Sequence, residues 1–290
     1  MTRVSLTNAG ERALFPATAR IDTGAGYGPQ RRQALRTRMV NDSAGLHTTV
    51  DRDEVARFAA LADDWWNPRG KMAPLHKFNP VRLGFIRDQA CAQFGRDAKM
   101  LDCLQGLTFL DVGCGGGIVA EPLARLGGKV TGIDPAEENV EAARLHAAKS
   151  GLAVDYRATT VEALAETKLA FDVVIASEVV EHVADLDFFV GRSAALVKPK
   201  GLMIVTTINR TLKSFAFVIV GAEYILRWLP VGTHSWDKFV SPQELESALS
   251  ASGLVVVEES GIQYDPFRDQ WRRSDDMDVN YILAAEKRGA

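Results

Sequence analysis

The run Leu110-Asp111-Val112-Gly113-Cys114-Gly115-Gly116-Gly117 carries an apolar strand straight into a glycine-rich turn and a helix. Gly113, Gly115 and Gly117 lack a Cβ, so the turn can enter positive φ and let the backbone approach a ligand closely. A helix from Ile118 aims its free N–H groups at whatever sits there. One strand-length later, Val130-Thr131-Gly132-Ile133 ends in Asp134, whose carboxylate can accept both hydroxyls of a ribose. A second set of reactive side chains follows in Ser177-Glu178-Val179-Val180-Glu181-His182. As a helical turn, this segment would bring Glu178, Glu181 and His182 onto one face at i, i+3 and i+4. Two carboxylates and an imidazole there could bind Mg²⁺ through oxygen or Zn²⁺ through mixed ligands. Equally, Glu181 and His182 could serve a metal-free general base, or the glutamate could make a structural hydrogen bond.

The details of the glycine turn separate the candidate ligands. A dinucleotide turn wants two residues before its last glycine, whereas Gly117 follows Gly115 by two positions. Asp111 adds negative charge where a pyrophosphate would be repelled. S-adenosylmethionine has a ribose for Asp134, no phosphate, and a cationic amino group and sulfonium, so it fits these residues better than NAD does. Methyl transfer from a sulfonium needs a nucleophile held in line with the S–CH₃ bond. A phenol with a pKa of about 10 is protonated at neutral pH, so the site must add a base or a metal.

The pattern around these residues alternates. Strands are expected at 108–112, 129–133, near 154–156, at 171–176 and at 202–208, with helices from Ile118, over 137–150, 161–164 and 186–196. Such alternation forces parallel pairing with crossover helices on both faces and places a ligand at the carboxyl ends of the strands. The fold class is therefore α/β, a doubly wound sheet. Two more strands, 254–258 and 280–286, would complete it. Ahead of it, Val55, Phe58, Ala59, Ala62 and Trp65 recur at helical spacing behind Asp51, which can cap that helix. A polar, proline-containing loop to Asn79 follows, and Pro80 would open a second helix through about Phe94.

The block Asp111-Val-Gly-Cys-Gly-Gly-Gly-Ile with Asp134 resembles motif I and the following acid of class I methyltransferases. Further segments narrow the resemblance: Trp65-Trp66-Asn67, Pro74-Leu-His76-Lys-Phe-Asn79-Pro80-Val-Arg82, Glu181-His182-Val, Val220-Gly-Ala-Glu-Tyr-Ile-Leu-Arg227, Gly232-Thr-His234 and Asp278-Val-Asn280-Tyr281. Together, from Asp51 to the C-terminus, they resemble the UbiG-type ubiquinone-biosynthesis O-methyltransferases. The resemblance implies a seven-stranded, mostly parallel sheet whose last strand is antiparallel. It implies S-adenosylmethionine as methyl donor, with Arg82, Gly113, Gly115, Asp134 and Ser177 as cofactor contacts, Arg82 on the methionine part. Ser177 departs from the methionine expected at its position. Divalent-metal dependence in the family favours Mg²⁺ or Zn²⁺ at Glu178, Glu181 and His182. The implied substrates are polyprenylated catechols, methylated in two separate O-methylation steps. Implied partners are an anionic membrane and other ubiquinone-biosynthesis enzymes, at a cytoplasmic site peripheral to the inner membrane, or on the matrix side in a mitochondrion. The rivals are a class I methyltransferase with another small-molecule acceptor and a membrane-associated scaffold. The intact glycine turn, Asp134 and the Glu-Glu-His cluster count against the scaffold.

Bulk properties agree. At 290 residues and 47% apolar composition the chain can bury a substantial core, and its net charge of −3 gives no reason to expect nucleic acid as a partner. Cys91, Cys103 and Cys114 are odd in number and lack metal-pair spacing, which suggests a reducing compartment. His76 and Lys77 could line a substrate mouth or be solvated, and Asp172 and Asp185 have no assigned task. Residues 1–38 hold seven arginines, no lysine and two acids, interrupted by glycine and proline, so residues 1–50 are expected to be a disordered extension before a methyltransferase domain over 51–290. Two explanations compete for it, a mitochondrial leader and a start assigned too far upstream of Met39. The apolar run within 214–236 reads as a lid, an interfacial helix or a core helix.

Overall fold

The computed structural model describes residues 48–215 and 236–289. Among the described residues, eight strands form one sheet in the order β3-β2-β1-β4-β5-β8-β6-β7. They are β1 (Thr108–Val112), β2 (Lys129–Asp134), β3 (Asp155–Ala158), β4 (Phe171–Ser177), β5 (Val197–Ile208), β6 (Leu254–Asp265), β7 (Gln270–Ser274) and β8 (Asn280–Lys287). The first five pair in parallel, and β8 is inserted antiparallel between β5 and β6. The strand order reverses at β1, between β2 and β4, so the loops after β1 and β4 diverge there and leave a crevice at their carboxyl ends. The expected antiparallel last strand is present. The sheet nevertheless has eight strands rather than seven, because β6 runs on to Asp265 and folds back as a hairpin with β7.

The central strands are apolar on both faces, as a sheet covered by helices on each side requires. Val173 and Ile175 face one core with Phe109, Leu202 and Ile204, while Val174 and Ala176 face the other with Leu110, Met203 and Val205. The first core is closed by helices α2 (Ala73–Gln93), α3 (Ala120–Arg125) and α4 (Glu137–Lys149). The second is closed by α5 (Val161–Ala165), α6 (Leu186–Ala195) and α7 (Pro242–Ala251). Asp185 is the N-cap of α6, accepting the Phe188 N–H at 3.0 Å, and Asp172 takes the Thr108 N–H and hydroxyl and Lys198. Both acids therefore have structural tasks.

The N-terminal elements differ from expectation. Helix α1 (Arg52–Ala59) is capped by Asp51 as expected but ends early, and a 3₁₀ turn at Ala62–Asp64 leads to Trp65. Helix α2 starts at Ala73, with Pro74 in its first turn and Pro80 inside it. An interior proline costs about 3 kcal/mol; burial of Phe78, Phe85, Ile86, Ala90 and Cys91 overrides that propensity. The expectations for residues 1–38 and for the apolar run lie almost wholly outside the described residues. Among those residues, no helix is long and apolar enough to cross a membrane.

The glycine turn is held by close packing. Gly117 has φ +86°, and a Cβ there would collide with the Tyr156 hydroxyl, itself buried without a hydrogen-bond partner. Gly117→Ala should lower stability by at least about 1–2 kcal/mol from the left-handed conformation alone. Tyr156→Phe should be nearly neutral, since it removes an orphaned polar atom. Urea unfolding of both variants and of the double variant checks this: the double should recover the steric part of the loss, and simple additivity would refute the contact.

Candidate active site

One cavity of about 1130 Å³ runs along the carboxyl ends of the strands. Its lining passes from Asp134 and Thr159, beside β2 and β3, through Gly113 and Ser177 at the ends of β1 and β4, to Ile208, Ile262 and Trp271 on β5, β6 and β7. A drug-sized ligand needs about 300–1000 Å³, so the space suits a cofactor together with a second molecule.

At the β2 end, Asp134 closes onto the glycine turn. Its Oδ2 accepts the Gly115 N–H at 3.0 Å, and its Oδ1 accepts the Ala136 N–H at 2.9 Å and Asn139 Nδ2 at 3.2 Å. Burial raises its pKa, and these three donors oppose the shift. Gly113 adopts φ +69° against Val179, where a Cβ would lie 2.6 Å from Cγ2. Trp65 packs over Gly115 and Gly116, donating from its indole to Asn139 Oδ1 at 2.9 Å. Trp66 donates to the Gly116 carbonyl at 2.7 Å and stacks on His146 at 3.5 Å. The tryptophan pair thus forms a cover over the turn.

Where β1 and β4 end, Arg82 is buried. Its Nε donates to Asn79 Oδ1 at 2.8 Å and its Nη1 to Ser177 Oγ at 2.9 Å. Burial lowers the guanidinium pKa, opposed by the charges of Glu178 and Asp111. Burial in turn pushes Asp111 up to about 7 against the pull of Arg82, and its Oδ2 has no hydrogen-bond partner. Glu178 is also pushed up to about 7, by burial and then by Glu181, with Arg82 and Thr206 opposing. Ser177 acts through its hydroxyl, which holds Arg82 and pairs with Thr206 Oγ1 at 2.8 Å.

The expected common face for Glu178, Glu181 and His182 does not form. Glu178 has φ +57°, and only Val180–His182 make a 3₁₀ turn, so the i, i+3, i+4 geometry is lost. Glu178 accepts from Thr206 Oγ1 at 2.9 Å, and Glu181 accepts from Thr207 Oγ1 at 2.8 Å. His182 Nδ1 instead lies 3.3 Å from Glu54 Oε2 of helix α1. Among the described residues, no group of three or more His, Cys, Asp or Glu could hold a metal ion. This arrangement does not support Mg²⁺ or Zn²⁺ at Glu178, Glu181 and His182.

Glu54 and Asn139 are site residues that the sequence reading missed. Glu54 is held down to about 2 by His182, with Lys238 and Arg57 assisting. Burial by itself would lower the His182 pKa, but Glu54, Glu181 and Glu178 raise it above its usual value. Phe58 sets its ring edge against the imidazole at 5.1 Å. The signal for Glu54 was its place on the buried side of an amphipathic helix, where a carboxylate requires a partner. His76 is tied to the Trp65 carbonyl at 2.8 Å, and Lys77 to Asp269 at 2.7 Å.

Asp111 supplies a pH test. In the unfolded chain it ionises near its ordinary 3.8, in the folded protein at about 7. Its stabilising contribution is therefore complete below 3.8 and is lost as pH rises through about 7. Asp111→Asn removes this titration, so the variant should gain stability relative to the native protein across that window and keep the advantage above it. Parallel midpoint curves for the two proteins from pH 4 to 9 would contradict the assignment.

The comparisons with known proteins agree with the geometry. A family model described as a methyltransferase domain matches residues 84–259. The ubiquinone biosynthesis O-methyltransferase of Rhodopseudomonas palustris (strain BisB5) is 58% identical over 247 residues, which is 85% of this chain and 97% of that relative. Its counterpart in Bradyrhizobium diazoefficiens is 56% identical over 239 residues, 82% of this chain and 94% of the relative. A crystal structure of magnesium protoporphyrin IX methyltransferase from Synechocystis PCC 6803 with bound SAH has a TM-score of 0.55 at 16% identity, covering 88% of this chain and 99% of that one. That likeness is one of fold. Sharing more than half of its aligned residues with these relatives over nearly their whole length, the chain belongs to the ubiquinone biosynthesis O-methyltransferases.

Proposed function

We propose that this enzyme methylates hydroxyls of polyprenylated catechols, namely 2-polyprenyl-6-hydroxyphenol and 3-demethylubiquinol, leaving S-adenosylhomocysteine. The observation that carries the reading is one continuous cavity that joins the Asp134 and Gly113 end to an apolar end, with His182 lining it beside the end of β4.

The residues at the cofactor end fit S-adenosylmethionine. Arg82 and Asp111 are opposite charges, both disfavoured by burial, and Asp111 Oδ2 is unpartnered. A ligand with its own carboxylate and ammonium satisfies both, the guanidinium taking the carboxylate and Asp111 the ammonium. Asp134 takes the ribose hydroxyls, with Gly113 providing backbone approach, Gly115 holding Asp134 through its N–H and Ser177 steadying Arg82. The bound cofactor supplies an electrophilic methyl group on sulfur.

His182 is the general base. Glu54 Oε2, 3.3 Å from Nδ1, orients the imidazole and stabilises its protonated form. As the phenol oxygen forms its bond to the methyl carbon and the S–CH₃ bond breaks, the phenolic proton passes to His182. Glu181 adds negative charge that stabilises the resulting imidazolium. His182 must be neutral to act, so kcat should rise with pH through a value above the ordinary 6.5.

Membrane contact is part of the same reading. Leu212, 83% exposed, and Phe215 stand immediately before residue 216, and Phe267 at the tip of the β6–β7 hairpin is 97% exposed. Such side chains suit an interfacial attachment to anionic lipid, where the substrate resides. Phe217 and Ile225 of the apolar run lie outside the described residues.

A methyl-transfer assay on a short-chain prenyl catechol tests the function, and turnover is the expected result. Asp134→Ala should weaken S-adenosylmethionine binding by about tenfold or more in calorimetry. His182→Ala should lower kcat by roughly 10²–10⁴-fold with cofactor affinity retained. Turnover abolished by a chelator and restored by Mg²⁺ would replace the metal-free base, and an unimpaired His182→Ala enzyme would remove His182 from the chemistry.

A further inference from the structure

The β6–β7 hairpin extends the sheet beyond the strands needed to build the cofactor crevice. Most of its cavity-lining residues are aromatic or branched, with Gln263 the polar one. Tyr264 and Trp271 are direct cross-strand partners, with ring centroids 5.4 Å apart, and Ile262 stands two residues before Tyr264 on the same face. All three line the cavity, as does Pro266 in the turn.

The hairpin is fastened to helix α2. Phe78 sets its edge against Trp271 at 5.2 Å, and Arg273 lies 4.9 Å from the Phe85 ring. Lys77 Nζ reaches both oxygens of Asp269 at 2.7 Å, and the Tyr264 hydroxyl donates to the same carboxylate. These ties hold an aromatic wall of Phe78, Trp271 and Tyr264 over the far end of the cavity.

Position along the sheet decides what this wall meets. The glycine turn and Asp134 belong to β1 and β2, His182 follows β4, and the hairpin lies beyond β5 and β8. The reacting hydroxyl has to sit beside the methyl group and the base, near the end of β4. Whatever else the acceptor carries then extends toward β6 and β7, where the lining is apolar.

Resting on the substrate reading above, we infer that Trp271 and Tyr264, backed by Phe78, form the subsite for the first isoprene units of the acceptor's tail and set the preference for prenylated over tail-less catechols. Apolar contact with fixed aromatic faces supplies the affinity.

The experiment measures binding of a short-chain prenyl catechol and of the same catechol without its tail to the full-length enzyme saturated with S-adenosylhomocysteine, which cannot turn over. Trp271→Ala and Tyr264→Ala should each weaken the prenylated ligand by about tenfold or more, and the tail-less ligand by less than about threefold. Trp271→Phe should restore most of the loss. Affinity for S-adenosylhomocysteine and the thermal midpoint identify any variant that is merely misfolded, and the milder Trp271→Leu and Tyr264→Leu pair, which removes the aromatic faces but keeps apolar bulk, then carries the comparison. Equal losses for both catechols, or unchanged binding of the prenylated one, would overturn the assignment. Native enzyme that binds the prenylated catechol with this selectivity but does not methylate it would refute the catalytic reading and leave the subsite standing.

Discussion

Burial of the Arg82 guanidinium constrains the arrangement of the site. A cation removed from water must be matched by charge and by hydrogen-bond acceptors, and the chain supplies both from separate elements. Asn79 comes from the same helix, Ser177 from the end of β4, Asp111 from β1, and Glu178 from the loop that follows β4. Thr206 of β5 braces both Ser177 and Glu178. Two carboxyls held up to about 7 beside one guanidinium make a site whose charges are only partly compensated. That incomplete balance suits a zwitterionic ligand, whose two charges complete the pairing.

The same β5 strand explains why Glu178 and Glu181 have different hydrogen-bond partners. Thr206 and Thr207 are consecutive residues of an extended strand, so their side chains point to opposite faces of the sheet. Each hydroxyl takes one glutamate, so the two side chains are held from separate threonines, while Glu181 still raises the Glu178 pKa. Glu178 reaches its threonine through a left-handed backbone conformation, uncommon for a residue with a side chain and frequent at functional sites. His182 is then oriented by a carboxylate from a different part of the chain.

That carboxylate arrives on a segment laid over the site. Thr49 bonds Glu162 through its N–H and its hydroxyl, and its carbonyl accepts the Ala184 N–H at 2.9 Å. Val50 bridges to Val183, and Lys238 holds Asp51 and Glu54. Helix α1, the Trp65–Trp66 cover and the start of α2 therefore act as a roof fastened to the sheet at several points. Such a roof excludes water from a reaction in which a phenolate must attack carbon rather than be reprotonated.

Much of this was legible in the order of residues. The glycine turn, Asp134, the alternation of strands and helices and the antiparallel last strand follow from local pattern, because period, turn chemistry and capping act over a few residues. Arg82 was legible through resemblance, and the structure adds that Ser177 holds it by its hydroxyl. What the order of residues could not settle depends on side chains far apart in the chain. Read locally, Glu-x-x-Glu-His describes one helical face; the folded chain gives each of its acids a threonine from β5 and its histidine a glutamate from 128 positions earlier. The interior proline of α2 was likewise decided by burial, and the β6–β7 hairpin by cross-strand pairing and its ties to α2. Local propensities of about 1–3 kcal/mol give way when packing and the pairing of buried charges oppose them.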